Sequence, residues 1–274
     1  MIQNLTMPSP RGTLKQKLQK GDFIVAPGIY EMISAKVADQ MGFHALYMTG
    51  YGVSASHLGL PDAGLAGYTD MQGRARTIAN GISSPLMADA DTGFGGLINI
   101  RHTVRGYEEA GVQAIQLEDQ LMPKKCGHFA GKAVVSAEEM IGKIKAAVDA
   151  RHHSDFLIIA RTDARAVLGI NEALDRAAAY AEHGADMTFV EAPESIEEMQ
   201  RIAKELSCPQ IVNVVIGGKT PALAQPVLAE MGFGLVLYAN AALQGAVRGM
   251  TQALTLLKNQ GQLQEDASVV ATFA

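Results

Sequence analysis

The chain has only two cysteines in 274 residues, Cys126 and Cys208. So few, so far apart, cannot build a disulfide framework, and they fit a reducing cytoplasm. Long hydrophobic runs are also missing. No apolar stretch approaches the roughly 20 residues that span a bilayer, so no membrane partner is expected. The first twenty residues are polar and basic and lack the apolar centre of a secretory signal. Positive charge is in deficit, 23 Lys and Arg against 28 Asp and Glu, and no basic tract compensates. That excludes a nucleic-acid footprint. No glycine-rich phosphate fingerprint follows the first apolar run, where Ala26-Pro27-Gly28-Ile29-Tyr30 stands, which argues against a doubly wound open sheet. No Pro/Ser-rich linker divides the chain either. These gaps leave one domain over 1–274, acting on a small soluble molecule, with 48% hydrophobic residues to build a large core.

What is present is a recurring unit in which an amphipathic helix ends at a glycine and an apolar strand follows. It is read at 42–49, 111–118, 184–191 and 232–239. The opening glycine suits a left-handed helix C-cap. The strand ends fall at Thr49, Glu118, Glu191 and Ala239, two of them carboxylates. Further strands are expected at 23–26, 86–89, 157–161 and 211–215, making eight. Ser136 with Glu139, Ser195 with Glu198 and Thr69 with Gln72 have capping-box spacing at the starts of intervening helices. Eight short strands alternating with helices predict a (β/α)8 TIM barrel, with 241–274 as a C-terminal helical extension.

In such a barrel, chemistry gathers at the C-terminal ends of the strands. Thr49, Asp89, Asp91, Glu118, Arg161, Asp163, Glu191, Asn213 and Asn240 all fall there. So many converging polar groups are costly unless they bind something. Asp89 and Asp91, two apart at the end of the third strand, should point to one side and, with Glu118, form an oxygen-rich pocket suited to Mg²⁺. The competing reading caps the next helix with these aspartates or pairs them with Arg161. The Arg161 guanidinium, ending an apolar strand, needs an anion: a bidentate substrate carboxylate, or a structural partner in Glu191 or Asp163. The hexapeptide Pro123-Lys124-Lys125-Cys126-Gly127-His128 sets a thiol among two ammonium groups and an imidazole. Such neighbours make a thiol acid–base active near neutral pH; the alternative is a surface cysteine among solvated lysines. Zinc on Cys126 and His128 is disfavoured, because one residue separates them and no second Cys/His pair exists.

Several motifs, in this order, resemble one known family. They are Tyr47-Met48-Thr49-Gly50-Tyr51-Gly52, Leu60-Pro61-Asp62, Asp89-Ala90-Asp91-Thr92-Gly93, Leu117-Glu118-Asp119-Gln120, Lys124-Lys125-Cys126-Gly127-His128 and Ala160-Arg161-Thr162-Asp163. Over 27–238 the chain resembles the isocitrate lyase/phosphoenolpyruvate mutase superfamily. The Lys-Lys-Cys-Gly-His segment places the resemblance in the lyase branch, nearest the enzymes of 2,3-dimethylmalate and related alkylmalates, with methylisocitrate lyases next. Tyr238-Ala239-Asn240 is closer to the phosphonate-processing members.

The resemblance implies a metal-dependent enzyme, with Mg²⁺ or Mn²⁺ as its substitute, that cleaves a carbon–carbon bond in a 2-hydroxy di- or tricarboxylate. It implies that Asp89, Asp91 and Glu118 organise the metal, with Asp62 in the wider shell. Thr49, Gly50, Tyr51 and Arg161 would hold the keto-acid carboxylate, and Glu191 and Asn213 would shape the far side. The segment carrying Cys126 would be a gating loop, with Gly127 against the substrate. Cys126 is expected as the general acid, Lys125 and His128 as stabilisers of the departing charge. The base for the substrate hydroxyl is left open, with Tyr47 and a water held by Asp62 as the candidates. A homotetramer is implied, and the chain's end at Phe273-Ala274 leads to the expectation that a C-terminal helix is missing or shortened. The rival activities are oxaloacetate hydrolysis or decarboxylation and phosphonopyruvate processing; the rival class is a non-catalytic barrel serving as a scaffold.

Overall fold

The computed structural model of the protein describes residues 13–127, 129 and 131–271. The eight strands are β1 (Ile24–Ile29), β2 (Leu46–Met48), β3 (Leu86–Asp89), β4 (Ala114–Glu118), β5 (Leu157–Thr162), β6 (Met187–Val190), β7 (Gln210–Asn213) and β8 (Leu235–Tyr238). They pair in sequence order, all parallel, and β8 returns to β1 through Val25–Val236 and its neighbours. This is the expected closed (β/α)8 barrel. Nearly every strand residue is buried, as a parallel sheet covered on both faces requires.

Helix α1 (Leu14–Gln19) precedes the barrel and α2 (Met32–Gln40) joins β1 to β2. Two helices, α3 (Gly50–Leu58) and α4 (Tyr68–Ala79), follow β2. Next come α5 (Leu97–Glu109) and α6 (Ala137–Ala150), then α7 (Ala164–Leu168) and α8 (Ile170–Glu182) after β5. The set ends with α9 (Ile196–Glu205), α10 (Gln225–Met231) and α11 (Ala241–Gln260). The four register glycines, Gly42, Gly111, Gly184 and Gly232, all take positive φ, between 78° and 106°. Each therefore ends its helix in the left-handed region that a side chain disfavours.

Ser136 and Ser195 cap α6 and α9 by accepting the amide hydrogens of Glu139 and Glu198. The third expected cap is displaced. Gly67 holds the N-cap of α4, its N–H bonded to Asp70 Oδ2 at 2.9 Å, and Thr69 lies inside the first turn. The first strand also runs past its expected end at Ala26, through Pro27 and Gly28. A Cβ on Gly28 would stand 1.9 Å from the Ala239 carbonyl oxygen, so the dipeptide marks a close approach of β8 rather than a turn.

Two shells make the core. One fills the barrel with Ala26, Tyr47, Met87, Ile159, Phe189 and Leu237; the other lies between strands and helices. Helix α1 closes the N-terminal end. Leu14 is fully buried in the interior cluster, and its N–H donates to Gln113 Oε1 at 2.8 Å. That leaves the opposite end for chemistry. No described helix is long and apolar enough to cross a membrane.

Candidate active site

The C-terminal strand ends surround a narrow, partly open pocket. Tyr47, Thr49, Tyr51, Asp62, Asp89, Cys126, Gly127, Arg161, Glu191 and Asn213 line it, all of them expected at the site. Phe189, Val215, Leu237, Ala239 and Asn240 complete the wall.

Asp89 ends β3 with both oxygens engaged by backbone. Its Oδ1 accepts from Asp91 N at 3.0 Å and its Oδ2 from Gly50 N at 3.3 Å. The second bond ties the start of α3 to β3, and a Cβ on Gly50 would collide with Asp89 Oδ2 at 2.7 Å. Asp91 reaches the cluster differently from the expected strand alternation. The strand has ended, and Asp91 takes φ 47°, a left-handed conformation. Its carbonyl accepts the Glu118 N–H at 2.9 Å, locking that turn to β4. Backbone strain of this kind, at about 1–3 kcal/mol, is kept where the surroundings over-determine it.

Lys124 enters the middle of these carboxylates. Its ammonium lies 2.5 Å from Asp62 Oδ1 and 2.6 Å from Asp91 Oδ1, with the side chain only 2% exposed. Burial works against the Lys124 charge, but Asp91, Glu118, Asp89 and Asp62 together hold its pKa well above the ordinary lysine value. Burial also raises Asp91, to about 7, against the pull of Lys124. Burial likewise lifts the Glu118 carboxyl well above its usual range. Four carboxylates thus crowd around Lys124, with Arg161 beside Glu118 as the other cation. Glu118 Oε1 is moreover buried with no hydrogen-bond partner among the described residues. This excess of oxygen and negative charge fits a divalent cation. No three acidic, thiol or imidazole side chains converge on one point among the described residues. An ion held by Asp89, Asp91 or Glu118 would have to draw most of its ligands from water or substrate, as Mg²⁺ can.

Arg161 is forked on Asp163, with Nε 2.9 Å from Oδ2 and Nη2 3.0 Å from Oδ1. Glu118 Oε2 lies 3.4 Å from Nη1 and Glu191 Oε2 lies 3.6 Å from Nε. The structural partner and the cavity position thus coexist, and Nη1 is the nitrogen that Asp163 does not use. Asp163 is itself held from behind. Its N–H donates to Asp119 Oδ1 at 2.9 Å, and Asp119 Oδ2 accepts from Thr162 and Tyr180. Burial alone would raise Asp163, but Arg161 and then Lys132 outweigh it and lower its pKa.

The charge on Asp163 has a measurable consequence. Asp163→Asn removes the nearest counter-charge of the buried Arg161 and Lys132, and the expected loss is about 3–5 kcal/mol at neutral pH. Because the folded-state pKa is depressed, the stabilisation is present above the ordinary carboxyl pKa and is lost as pH falls through the folded value. Urea denaturation should show one constant deficit from neutral pH down to about 4, narrowing only below that.

The Cys126 segment leaves the barrel at Gln120 and returns at Val134, where an antiparallel bridge closes its neck. The Cys126 N–H donates to the Asp62 carbonyl at 3.2 Å. The flanking lysines do not gather on the thiol. Lys124 turns to the carboxylates, and Lys125 is exposed, its ammonium on the Gly131 carbonyl at 2.7 Å and outside the cavity wall. His128 lies outside the described residues. Tyr47 is buried, and burial with the Asp89 carboxylate holds its phenol well above the ordinary value, despite Arg161.

Comparison with known proteins agrees with this barrel. The family model described as Phosphoenolpyruvate phosphomutase matches residues 14–258. The 2,3-dimethylmalate lyase of Eubacterium barkeri is 49% identical over 95% of this chain and 90% of its own. A crystal structure of a 2,3-dimethylmalate lyase superposes with a TM-score of 0.90 at 40% identity, covering 95% of this chain and 90% of that one. An oxaloacetate acetylhydrolase bound to 3,3-difluorooxalacetate gives 0.91 at 38% identity, covering 94% and 89%. The chain belongs to the phosphoenolpyruvate mutase/isocitrate lyase superfamily.

Proposed function

We propose that this chain, as one barrel domain, is a Mg²⁺-dependent carbon–carbon lyase that splits an alkylmalate into pyruvate or another 2-oxo acid and a second carboxylic acid. The observation that carries the substrate choice is the charge of the cavity wall. Among the described lining residues Arg161 is the single cation, and Phe189, Val215, Leu237 and Ala239 are apolar. With one guanidinium on a wall that also carries Asp62, Asp89 and Glu191, the further carboxylate of a tricarboxylate would meet negative charge, whereas the four apolar residues can take the alkyl groups of a dicarboxylate. The similarity to 2,3-dimethylmalate lyase supports the same choice.

Arg161 and the N-terminus of α3 at Thr49, Gly50 and Tyr51 would bind the carboxylate of the 2-oxo half, since a helix start favours an anion. Glu191 and Asn213 would close the far side. Tyr47 keeps its proton under these conditions, so it serves as a hydrogen-bond donor, and the base falls to a water held by Asp62. That water takes the proton of the substrate hydroxyl and passes one of its own to the Asp62 carboxylate as the carbonyl forms and the carbon–carbon bond breaks. The bonding pair stays on the departing fragment as the enolate of its carboxylate. Cys126 gives its thiol proton to that carbon and is reprotonated from solvent. His128, and Lys125 after a turn of its side chain from Gly131, would stabilise the departing charge. A divalent cation, Mg²⁺ or Mn²⁺, near Asp89, Asp91, Glu118 and Asp62 supplies positive charge for the developing oxyanion.

Two further readings accompany this one. Two cysteines outside any disulfide fit a reducing cytoplasm. Helix α11 has no buried residue and exposes Val247, Met250 and Leu254, a surface suited to assembly into a homotetramer.

Incubation with Mg²⁺ and separate 2,3-dimethylmalate, other alkylmalates, methylisocitrate, isocitrate, oxaloacetate and phosphonopyruvate tests the proposal. Release of a 2-oxo acid from an alkylmalate, with kcat/KM at least about tenfold above any tricarboxylate, is the expected result. Turnover of oxaloacetate or phosphonopyruvate alone would replace the lyase reading by a hydrolase. No product from any of them, and no thermal stabilisation by Mg²⁺, would favour a scaffold.

A further inference from the structure

We infer that Lys132 is a positioning residue that pins the Cys126–Gly127 backbone to the Arg161–Asp163 pair. Its ammonium donates to the Gly127 carbonyl and, at 2.7 Å, to Asp163 Oδ1. Only 1% of its side chain is exposed, and none of the Asp163 side chain. A lysine suits this place because one ammonium has three donors on a long stem and can hold a carbonyl and a carboxylate at once.

The base of that stem is fixed. Lys132 stands beside the neck, where Leu121 N–H donates to the Ala133 carbonyl at 2.9 Å. Its tip meets the same Asp163 oxygen that takes Arg161 Nη2 at 3.0 Å. The Gly127 backbone is packed so closely that a Cβ there would lie 2.4 Å from Arg161 Nη2 and 2.6 Å from Glu191 Cγ. An approach this tight needs an attractive tie, and Lys132 supplies a charged one from a dry position. A single cation thereby fixes the segment carrying the thiol relative to the guanidinium that would grip the substrate. The catalytic consequence rests on the lyase reading; the pinning itself does not.

The test compares alkylation of Cys126 and Cys208 by iodoacetamide in the intact protein, followed by peptide mass spectrometry. Cys208 serves as the internal reference, since it sits beside Thr188 and Gln210, away from the cavity. At about pH 9.5, above the ordinary thiol range, the rates report access rather than ionisation. Lys132→Met is expected to raise the Cys126 rate about tenfold relative to Cys208, a shift in opening equilibrium of that factor. Lys132→Arg, which keeps a long cation, should restore most of the wild-type ratio. An unchanged ratio in Lys132→Met overturns the pin. So does an equal rise at both cysteines, or a Lys132→Arg protein that behaves like Lys132→Met. The expected alkylation pattern in a protein that cleaves no alkylmalate would instead sink the lyase reading and leave the pin standing.

Discussion

Cys126→Ser should lower the rate of carbon–carbon cleavage by about 10³-fold while leaving the binding of Mg²⁺ and of pyruvate nearly unchanged. The hydroxyl keeps the size of the side chain and the backbone bonds around it, including Cys126 N–H to Asp62 and Phe129 N–H to Cys126. What changes is acidity. A serine hydroxyl is far weaker as an acid than a thiol of ordinary pKa about 8.5. It therefore cannot protonate an enolate carbon at a comparable rate. The carboxylates of Asp62, Asp89, Asp91 and Glu118, with Lys124 among them, all keep their own side chains in the variant. Calorimetry with Mg²⁺ followed by pyruvate should thus give wild-type affinities, while steady-state cleavage collapses. A serine variant retaining a tenth or more of the activity would remove Cys126 as the acid.

Much of this site could be read before the fold was known, for a physical reason. A glycine at a left-handed C-cap followed by an apolar strand is a local signal, so counting from Gly111 and Gly184 puts Glu118 and Glu191 at strand ends. The β3 bounds and the Ser136 and Ser195 caps are equally local. What stayed hidden depends on direction rather than spacing. Two adjacent lysines beside a cysteine look alike in one dimension. In the fold, Lys124 faces inward to Asp62 and Asp91, and Lys125 faces outward to the Gly131 carbonyl. Lys132 lies beyond the motif, and nothing in its neighbours marks a buried ammonium on Asp163. Burial gives each of these lysines its role, and burial is a long-range property. The surplus of acidic strand-end residues over Arg161 points in sequence to Mg²⁺, whereas in the fold Lys124 and Lys132 supply part of the counter-charge.

That surplus leads to the second large effect. Lys124→Met should cost about 3–5 kcal/mol in metal-free buffer, because it strips the buried counter-charge from Asp62 and Asp91 together. For a barrel of this size the loss corresponds to roughly 10 °C in Tm. The deficit should also grow with pH. Without Lys124 the folded-state carboxyls are raised further, and a raised carboxyl makes the folded protein hold more protons than the unfolded chain. Stability then falls as pH climbs from the ordinary carboxyl pKa through the folded one. Asp91, already raised to about 7 with Lys124 in place, sets the scale of that window. The variant should therefore lie closer to wild type at about pH 5.5 than at about pH 8. Mg²⁺ should close part of the gap, since a divalent cation offsets the same oxygens and stabilises by mass action. Thermal melts of both proteins, with chelator and with millimolar Mg²⁺ at each pH, decide the matter. A Lys124→Met protein melting with wild type at about pH 8 without metal would mean that the four carboxylates carry far less charge than their burial around one ammonium implies. A larger Mg²⁺ gain in wild type than in the variant would mean that the ion sits away from these oxygens.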